Sequence, residues 1–295
     1  MLAILFWGTT IAFSRSLTEK LGPLTAASWI YLISGTLGIL YLLVFPQERR
    51  KVFKLPGIYL WGCGLLFLIY TVLLYLAIGL AFNREQVMEV SIINYLWPGL
   101  TLLFSLPILH KKGKLTLIPG IILAFAGIYL VTLQSGIFSW DVFKGNFQIN
   151  YLPYLLAFGA AICWGLYSNL SRYWAGHSQG QAVPLFLFFT GIALLAIRFY
   201  FLEESNWSFS VVLELLYMSI FPTFLAYSFW DRAMREGKMV LVASFSYFTP
   251  LLSILITSYY LQIKIQTNIW IACLLVITGA LLSKISIVEE KEEKS

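Results

Sequence analysis

Charge is what this sequence has least of: 12% of its 295 residues are charged, against 59% hydrophobic and 17% aromatic. With a mean hydropathy of +0.81, that excludes an ordinary soluble domain, whose single core could not hide so much apolar surface. Cysteine is nearly absent too. Cys63, Cys163 and Cys273 each stand alone inside an apolar run, so neither a disulfide framework nor a thiolate metal site is spelled, and they read as small core residues. The two histidines, His110 and His177, fall in polar loops. No H-E-x-x-H, G-x-S-x-G or Walker motif occurs, which argues against a membrane-embedded enzyme and against direct drive by ATP. No catalytic residue, metal or cofactor is expected, and the net charge of +6 requires no nucleic acid. No small-residue cleavage site follows the first apolar run, so a removable leader is not expected.

What is present is a series of ten apolar runs. They are Leu2 to Leu17, Leu24 to Phe45, Ile58 to Phe82, Val87 to Leu109, Leu115 to Leu133, Tyr151 to Tyr173, Val183 to Leu202, Val211 to Trp230, Met239 to Leu261 and Thr267 to Ile287. Such lengths suit helices crossing a hydrocarbon core of roughly 30 Å better than barrel strands of about ten residues. The expectation is an all-α integral membrane protein of ten transmembrane helices. Threaded from a cytoplasmic N-terminus, one side receives fourteen of the twenty basic residues and the other six. The richer side faces the cytoplasm, so both termini lie inside. The "EEKEEKS" tail is a solvated end.

An internal repeat organises the runs. "WGTTIAFSR" from Trp7 and "WGLYSNLSR" from Trp164 match at Trp-Gly and at Ser-Arg. "NYLWPGLTLL" from Asn94 aligns with "SYFTPLLSIL" from Ser246 at an offset of 152, which Tyr75 with Tyr227 and Gly127 with Gly279 also keep. Five runs per copy make the second enter the membrane from the opposite side. Two inverted five-helix repeats around a central cavity are the architecture of carriers. The expected division is 1–136 and 151–288 for the repeats, 137–150 for an extracytoplasmic linker and 289–295 for the tail.

Pro98 and Pro250 fall 11 residues into the fourth and ninth runs, about 16 Å deep at 1.5 Å per residue. A proline interrupts the bond to the carbonyl four residues earlier, here Asn94 and Ser246. Each half is therefore expected to place a kink, a freed carbonyl and a polar side chain at one depth, which the membrane interior tolerates only inside protein or beside a cavity. Glu89, one turn into the fourth run, is either a site for substrate ammonium, proton coupling or gating, or a solvated rim charge. Asp231, beside Arg232, reads as a surface pair. Trp61, Trp140, Trp207 and Trp270 read as interfacial anchors. Trp7, Tyr70, Tyr75, Tyr95, Trp97, Trp164, Tyr167, Tyr227, Trp230 and Tyr247 lie within the runs, where most pack and some can stack on a flat ring or face an ammonium. Ala157, Ala161 and Gly165 form a small-residue face for close helix approach.

The ten runs, the five-helix repeat, "EVSIINYLWPGLT" from Glu89 and "SYFTPLLS" from Ser246 resemble the drug/metabolite transporter superfamily of the EamA type, and within it the YddG aromatic amino acid exporters. The resemblance runs from Leu2 to about Lys284. It implies a bacterial inner-membrane carrier that moves aromatic and other amino acids out of the cell, with the first, eighth and ninth helices facing the third, fourth and sixth across the cavity. Asn94, Tyr95, Trp97 and Pro98 fall on its fourth-helix motif, and Ser246, Tyr247 and Pro250 on the ninth-helix counterpart. Trp164, Tyr167 and Tyr227 fall on family-like aromatic positions. Members of that superfamily usually carry a polar lead-in before the first helix, whereas Met1 here opens directly onto "LAILFWG", a departure that bears on the first crossing and on the cytoplasmic N-terminus. The expected function is secondary export of Phe, Trp, Tyr, Met or Thr by a monomer whose partners are a small-molecule substrate and the lipid bilayer. The alternatives are a multidrug or other metabolite carrier, and a membrane enzyme or lipid-binding scaffold.

Overall fold

The computed structural model describes residues 1–134, 140–176, 178–260 and 269–288. His177, Leu261, Lys264, Thr267, linker residues 137–139 and the tail from 289 lie outside the described residues. Apart from one pair of two-residue strands, every regular element among the described residues is helical.

The chain runs α1 Leu2–Leu21, α2 Pro23–Val44, the short α3 Pro46–Phe53 and α4 Gly64–Gly79, the last preceded by a π-helical turn at Tyr59–Cys63. Then come α5 Arg84–Asn94, α6 Trp97–Ile108, α7 Leu117–Gln134, α8 Trp140–Ile149 and α9 Leu152–Ala175. After α10 Val183–Arg198, α11 Phe209–Met218 and α12 Ala226–Glu236 are joined by a wide π-helical stretch, Ser219–Leu225, around Pro222. α13 Met239–Phe245, α14 Phe248–Tyr260 and α15 Ile269–Ser286 complete the fold. Strand β1, Lys112–Gly113, pairs antiparallel with β2, Ile287–Val288, and ties the turn after α6 to the end of α15.

Each apolar run carries helix in its described part. Among the described residues, four stretches reach bilayer span by length and composition, Pro23–Val44, Tyr59–Gly79, Glu89–Ile108 and Phe209–Glu236. A fifth forms if α8 and α9, bent by 100° to each other, count as one. The outward faces suit lipid, with Trp61 83% exposed and Trp270 69% exposed.

Local chemistry sets the helix ends. Gly22 caps α2 at φ 84, a left-handed value that suits glycine. A Cβ there would also lie 2.5 Å from the Glu203 carboxylate, which accepts the Leu24 and Thr25 N–H groups at 2.9 and 2.7 Å. Asn83 caps α5 by accepting the Gln86 N–H at 2.7 Å.

The prolines act differently from expectation. The α-helical pattern is interrupted by a two-residue turn at Tyr95–Leu96 in the fourth run and at Ser246–Tyr247 in the ninth, each run continuing in nearly the same direction. Pro98 and Pro250 then stand in the first turns of new helices, where a missing N–H costs no intrahelical bond. The Ser246 carbonyl is not freed, because the Thr249 N–H closes a tight turn onto it at 3.0 Å.

The packing pairs elements from the two halves. α2 lies on α10 and α7 on α15, while α4 and α6 pack on α9 as α12 and α14 pack on α1. Glycines allow the close approaches. A Cβ on Gly35 would stand 2.3 Å from the Phe188 Cα, one on Gly279 2.3 Å from the Ala124 nitrogen, and one on Gly165 3.1 Å from Phe104. Gly35→Val or Gly279→Val should push these helices apart and cost about 1–3 kcal/mol or more. Thermal unfolding in detergent checks this; an unchanged midpoint would show that the contacts are not tight.

Candidate functional site

A cavity of about 540 Å³ lies at the centre of the bundle, within the usual range for a small-molecule site of roughly 300–1,000 Å³. Its walls are aromatic: Tyr31 from α2, Tyr70 and Tyr75 from α4, Tyr95 from the first helix break, Trp97 from α6, Trp164 from α9 and Tyr227 from α12. Trp7 from α1 joins them. The lining helices are α1, α2, α12 and α14 together with α4, α5, α6 and α9, a set that includes the first, eighth, ninth, third, fourth and sixth runs and adds the second.

At the closed end the rings form a floor. Trp7 lies 6.1 Å from Trp97, 5.9 Å from Trp164, 5.5 Å from Tyr227 and 5.3 Å from Trp230, centroid to centroid. The Trp7 indole donates to the Pro222 carbonyl at 3.0 Å, an acceptor placed by the wide turn of the eighth run. Tyr70 leans on Trp164 at 4.7 Å, and the hydroxyls of Tyr31 and Tyr227 bond at 2.9 Å. At the other end the lining residues Thr18, Glu19 and Pro23, with Ala81, Phe82 and Asn83, mark the mouth. Glu19 is the charged side chain among the described lining residues.

Three polar groups on this lining lack partners. The Asn94 Oδ1, Thr10 Oγ1 and Thr249 Oγ1 atoms are covered from solvent, and none makes a hydrogen bond among the described residues. Each such group costs on the order of 1–3 kcal/mol unless a ligand or water meets it. Asn94, Tyr95, Trp97, Tyr70, Trp164 and Tyr227 were expected here from the sequence. Thr10 and Thr249 were not, although each stands in a repeated motif, "WGTT" and "SYFTP".

The other expected residues sit elsewhere. Tyr247 and Ser246 are buried, and neither they nor Pro98 and Pro250 are among the cavity-lining residues. The Ser246 hydroxyl donates to the Ala243 carbonyl, and the Tyr247 hydroxyl lies 3.1 Å from where a Gly99 Cβ would stand. Glu89 is not a solvated rim charge. It is 1% exposed, because α8 and the start of α9 cover it: Tyr154 of α9 donates its hydroxyl to the carboxylate and Asn146 of α8 its amide at 3.2 Å. It does not line the cavity.

The largest correction concerns Asp231. It is not a surface pair with Arg232, which instead meets the exposed Glu236 at 2.9 Å. Asp231 and Arg235 are fully buried, with Nε to Oδ2 at 2.9 Å. Tyr59 and Tyr167 both donate to Oδ1 at 3.0 Å. The Arg235 guanidinium also donates to the carbonyls of Ala175, Ser178 and Gly180 at 3.0, 2.9 and 2.6 Å. Tyr167 thus serves this lock rather than the cavity. The lock lies on the far side of the tryptophan floor, on the turn of α12 beyond Trp230.

The two halves of the chain match one known profile twice: that of the EamA-like transporter family covers residues 1–133 and again 152–285. A protein of Escherichia coli K12 called aromatic amino acid exporter YddG is 32% identical over 285 residues, 96% of this chain and 94% of its own. A protein of the same name from Ancylobacter novellus is 29% identical, over 94% of this chain and 93% of its own. A solved crystal structure superposes with a TM-score of 0.77 at 25% identity, covering 96% of this chain and 95% of the other.

Proposed function

The chain belongs to the EamA-like transporter family, a multi-pass membrane protein with a small-molecule substrate, and from that premise we propose that it is a secondary exporter of aromatic amino acids. The observation that carries this reading is the cavity: rings on every wall, a tryptophan floor, and the unpartnered Asn94 amide oxygen just above it. Such walls stack on Phe, Trp or Tyr. Met and Thr belong to the substrate range that we propose. Flat cationic drugs would fit the walls as well, but they would leave the buried polar groups unmet.

The reading comprises ten crossings arranged as two inverted repeats, 1–136 and 151–288, with both termini in the cytoplasm of a bacterium and the protein acting as a monomer in the inner membrane. The pairing of elements between the halves supports it, since exchanging the halves maps the packing of α4 on α9 onto that of α12 on α1. On that topology the mouth at Glu19 and Asn83 faces outside, and the floor with the Asp231–Arg235 lock closes the cytoplasmic end. The arrangement is one end of an alternating-access cycle.

Counterflow in proteoliposomes tests the substrate. Labelled phenylalanine should exchange with internal Phe, Trp or Tyr; no exchange with these or with Met and Thr would sink the proposal. Asn94→Ala should lower flux by about tenfold at unchanged membrane insertion, the loss of one hydrogen bond to a charged group. Normal flux in that variant would put the site elsewhere.

A further inference from the structure

We propose that the cavity floor is a primary-ammonium site, and that the protein therefore takes arylalkylamines without a carboxylate as well as amino acids. The inference rests on the reading of this cavity as the transport site. It goes further in saying which end of the substrate the protein holds.

Depth is the first argument. Thr10 lies three residues beyond Trp7 on α1, and Asn94 three residues before Trp97 in the oppositely directed fourth run. Trp7 and Trp97 touch edge to face at 6.1 Å. Both unpartnered oxygens therefore stand about one helical turn, ~5 Å, toward the mouth from the same pair of rings. Thr249 brings the third from α14, which packs along α1.

Donor chemistry is the second. An amide oxygen only accepts, and a threonine hydroxyl can accept or donate. The Asn94 Oδ1 makes no hydrogen bond among the described residues, which leaves it as an acceptor for a ligand. An ammonium offers three donors and no acceptor, whereas a carboxylate offers only acceptors and cannot satisfy Oδ1. The tryptophan rings below add the attraction of their faces for a cation.

With its ammonium on the floor and its ring against the faces of Tyr70, Trp164 and Tyr227 that line the cavity, an amino acid points its carboxylate up the cavity toward the open mouth. There it keeps its water. The carboxylate then contributes little to binding, and removing it leaves a ligand that still fits.

Phenylalanine dissects into two probes, phenethylamine, which lacks the carboxylate, and 3-phenylpropionate, which lacks the ammonium. Both are tested on the purified full chain by thermal shift and by competition with labelled phenylalanine in counterflow. Phenethylamine should stabilise and compete within about tenfold of phenylalanine, 3-phenylpropionate should be weaker by about tenfold or more, and Asn94→Leu should abolish the phenethylamine shift. Equal or better competition by 3-phenylpropionate overturns the proposal, as does a phenethylamine shift that survives in Asn94→Leu. Should phenylalanine itself not be transported, the exporter reading fails, while the thermal shift with phenethylamine and its loss in Asn94→Leu still decide the ammonium site.

Discussion

Asp231→Ala should destabilise the protein by about 3–5 kcal/mol and open its sealed end, because it strands a buried cation. Arg235 would keep the Ala175, Ser178 and Gly180 carbonyls but lose its carboxylate. The hydroxyls of Tyr59 and Tyr167 would lose their shared acceptor in the same step. Both tyrosines come from other runs, so the four-group cluster binds the starts of the third and eighth-run ends to α9, and the loss is a loss of helix contacts. Cys63 reports on it. This thiol is fully buried in the same π-helical turn as Tyr59, and in a chain with Cys163 and Cys273 replaced by alanine it should resist a small maleimide. In Asp231→Ala it should react. The double variant Asp231→Leu with Arg235→Met removes both charges and should recover stability, since apolar residues of similar volume replace buried ion pairs at little cost. It should nonetheless label at Cys63 faster than the parent under substrate gradients, because the specific lock is gone. A single variant as stable as the parent, with Cys63 still inert, would show that the pair does not hold this end shut.

That lock could not be seen in the sequence, and the reason is physical. Asp231, Arg232, Arg235 and Glu236 make a charged helix end, the ordinary composition of a solvated cytoplasmic turn. Arg232 with Glu236 behaves that way. What covers the other pair includes the carbonyls of Ala175, Ser178 and Gly180, some 55 to 60 positions earlier, and no local pattern encodes them. Glu89 was misplaced for the same kind of reason: counting residues into a run gives depth in a membrane, but not the cover that α8 provides by turning 100°. The core of the cavity was legible, by contrast, because it is written twice. Trp7 and Trp164 occupy matching places in the repeated motif, and their rings meet at 5.9 Å. The duplication also misled. Asn94 and Tyr95 line the cavity while their counterparts Ser246 and Tyr247 pack inside the protein, because a cavity open at one end makes the two halves unequal. The turn at each proline was foreshadowed in place, since a missing N–H says where a helix is weak, but the closing of the Ser246 carbonyl by the Thr249 N–H was not.

Trp7→Ala should reduce counterflow by at least about tenfold while lowering stability by about 3–5 kcal/mol, the usual cost of emptying a large aromatic site. Four rings of the floor pack on it, Trp97, Trp164, Tyr227 and Trp230. Removing it takes one shared contact from those four rings and leaves the Pro222 carbonyl without its donor. The hole would join the open cavity to the space around the lock, so the floor would no longer bind one face of a ring or separate the two ends. Trp7→Phe separates the two effects. It restores a ring but not the N–H, so it should regain most of the stability, short of the ~1–3 kcal/mol for an unmet carbonyl, and part of the flux. Trp61→Ala is the control, since that ring is 83% exposed on the outer surface and surface changes stay within about 0.5 kcal/mol. Thermal unfolding and counterflow measured on the same three preparations distinguish the outcomes. If Trp7→Ala exchanges phenylalanine at the parental rate, the tryptophan layer is packing alone, and the barrier between the two ends must be the lock around Asp231.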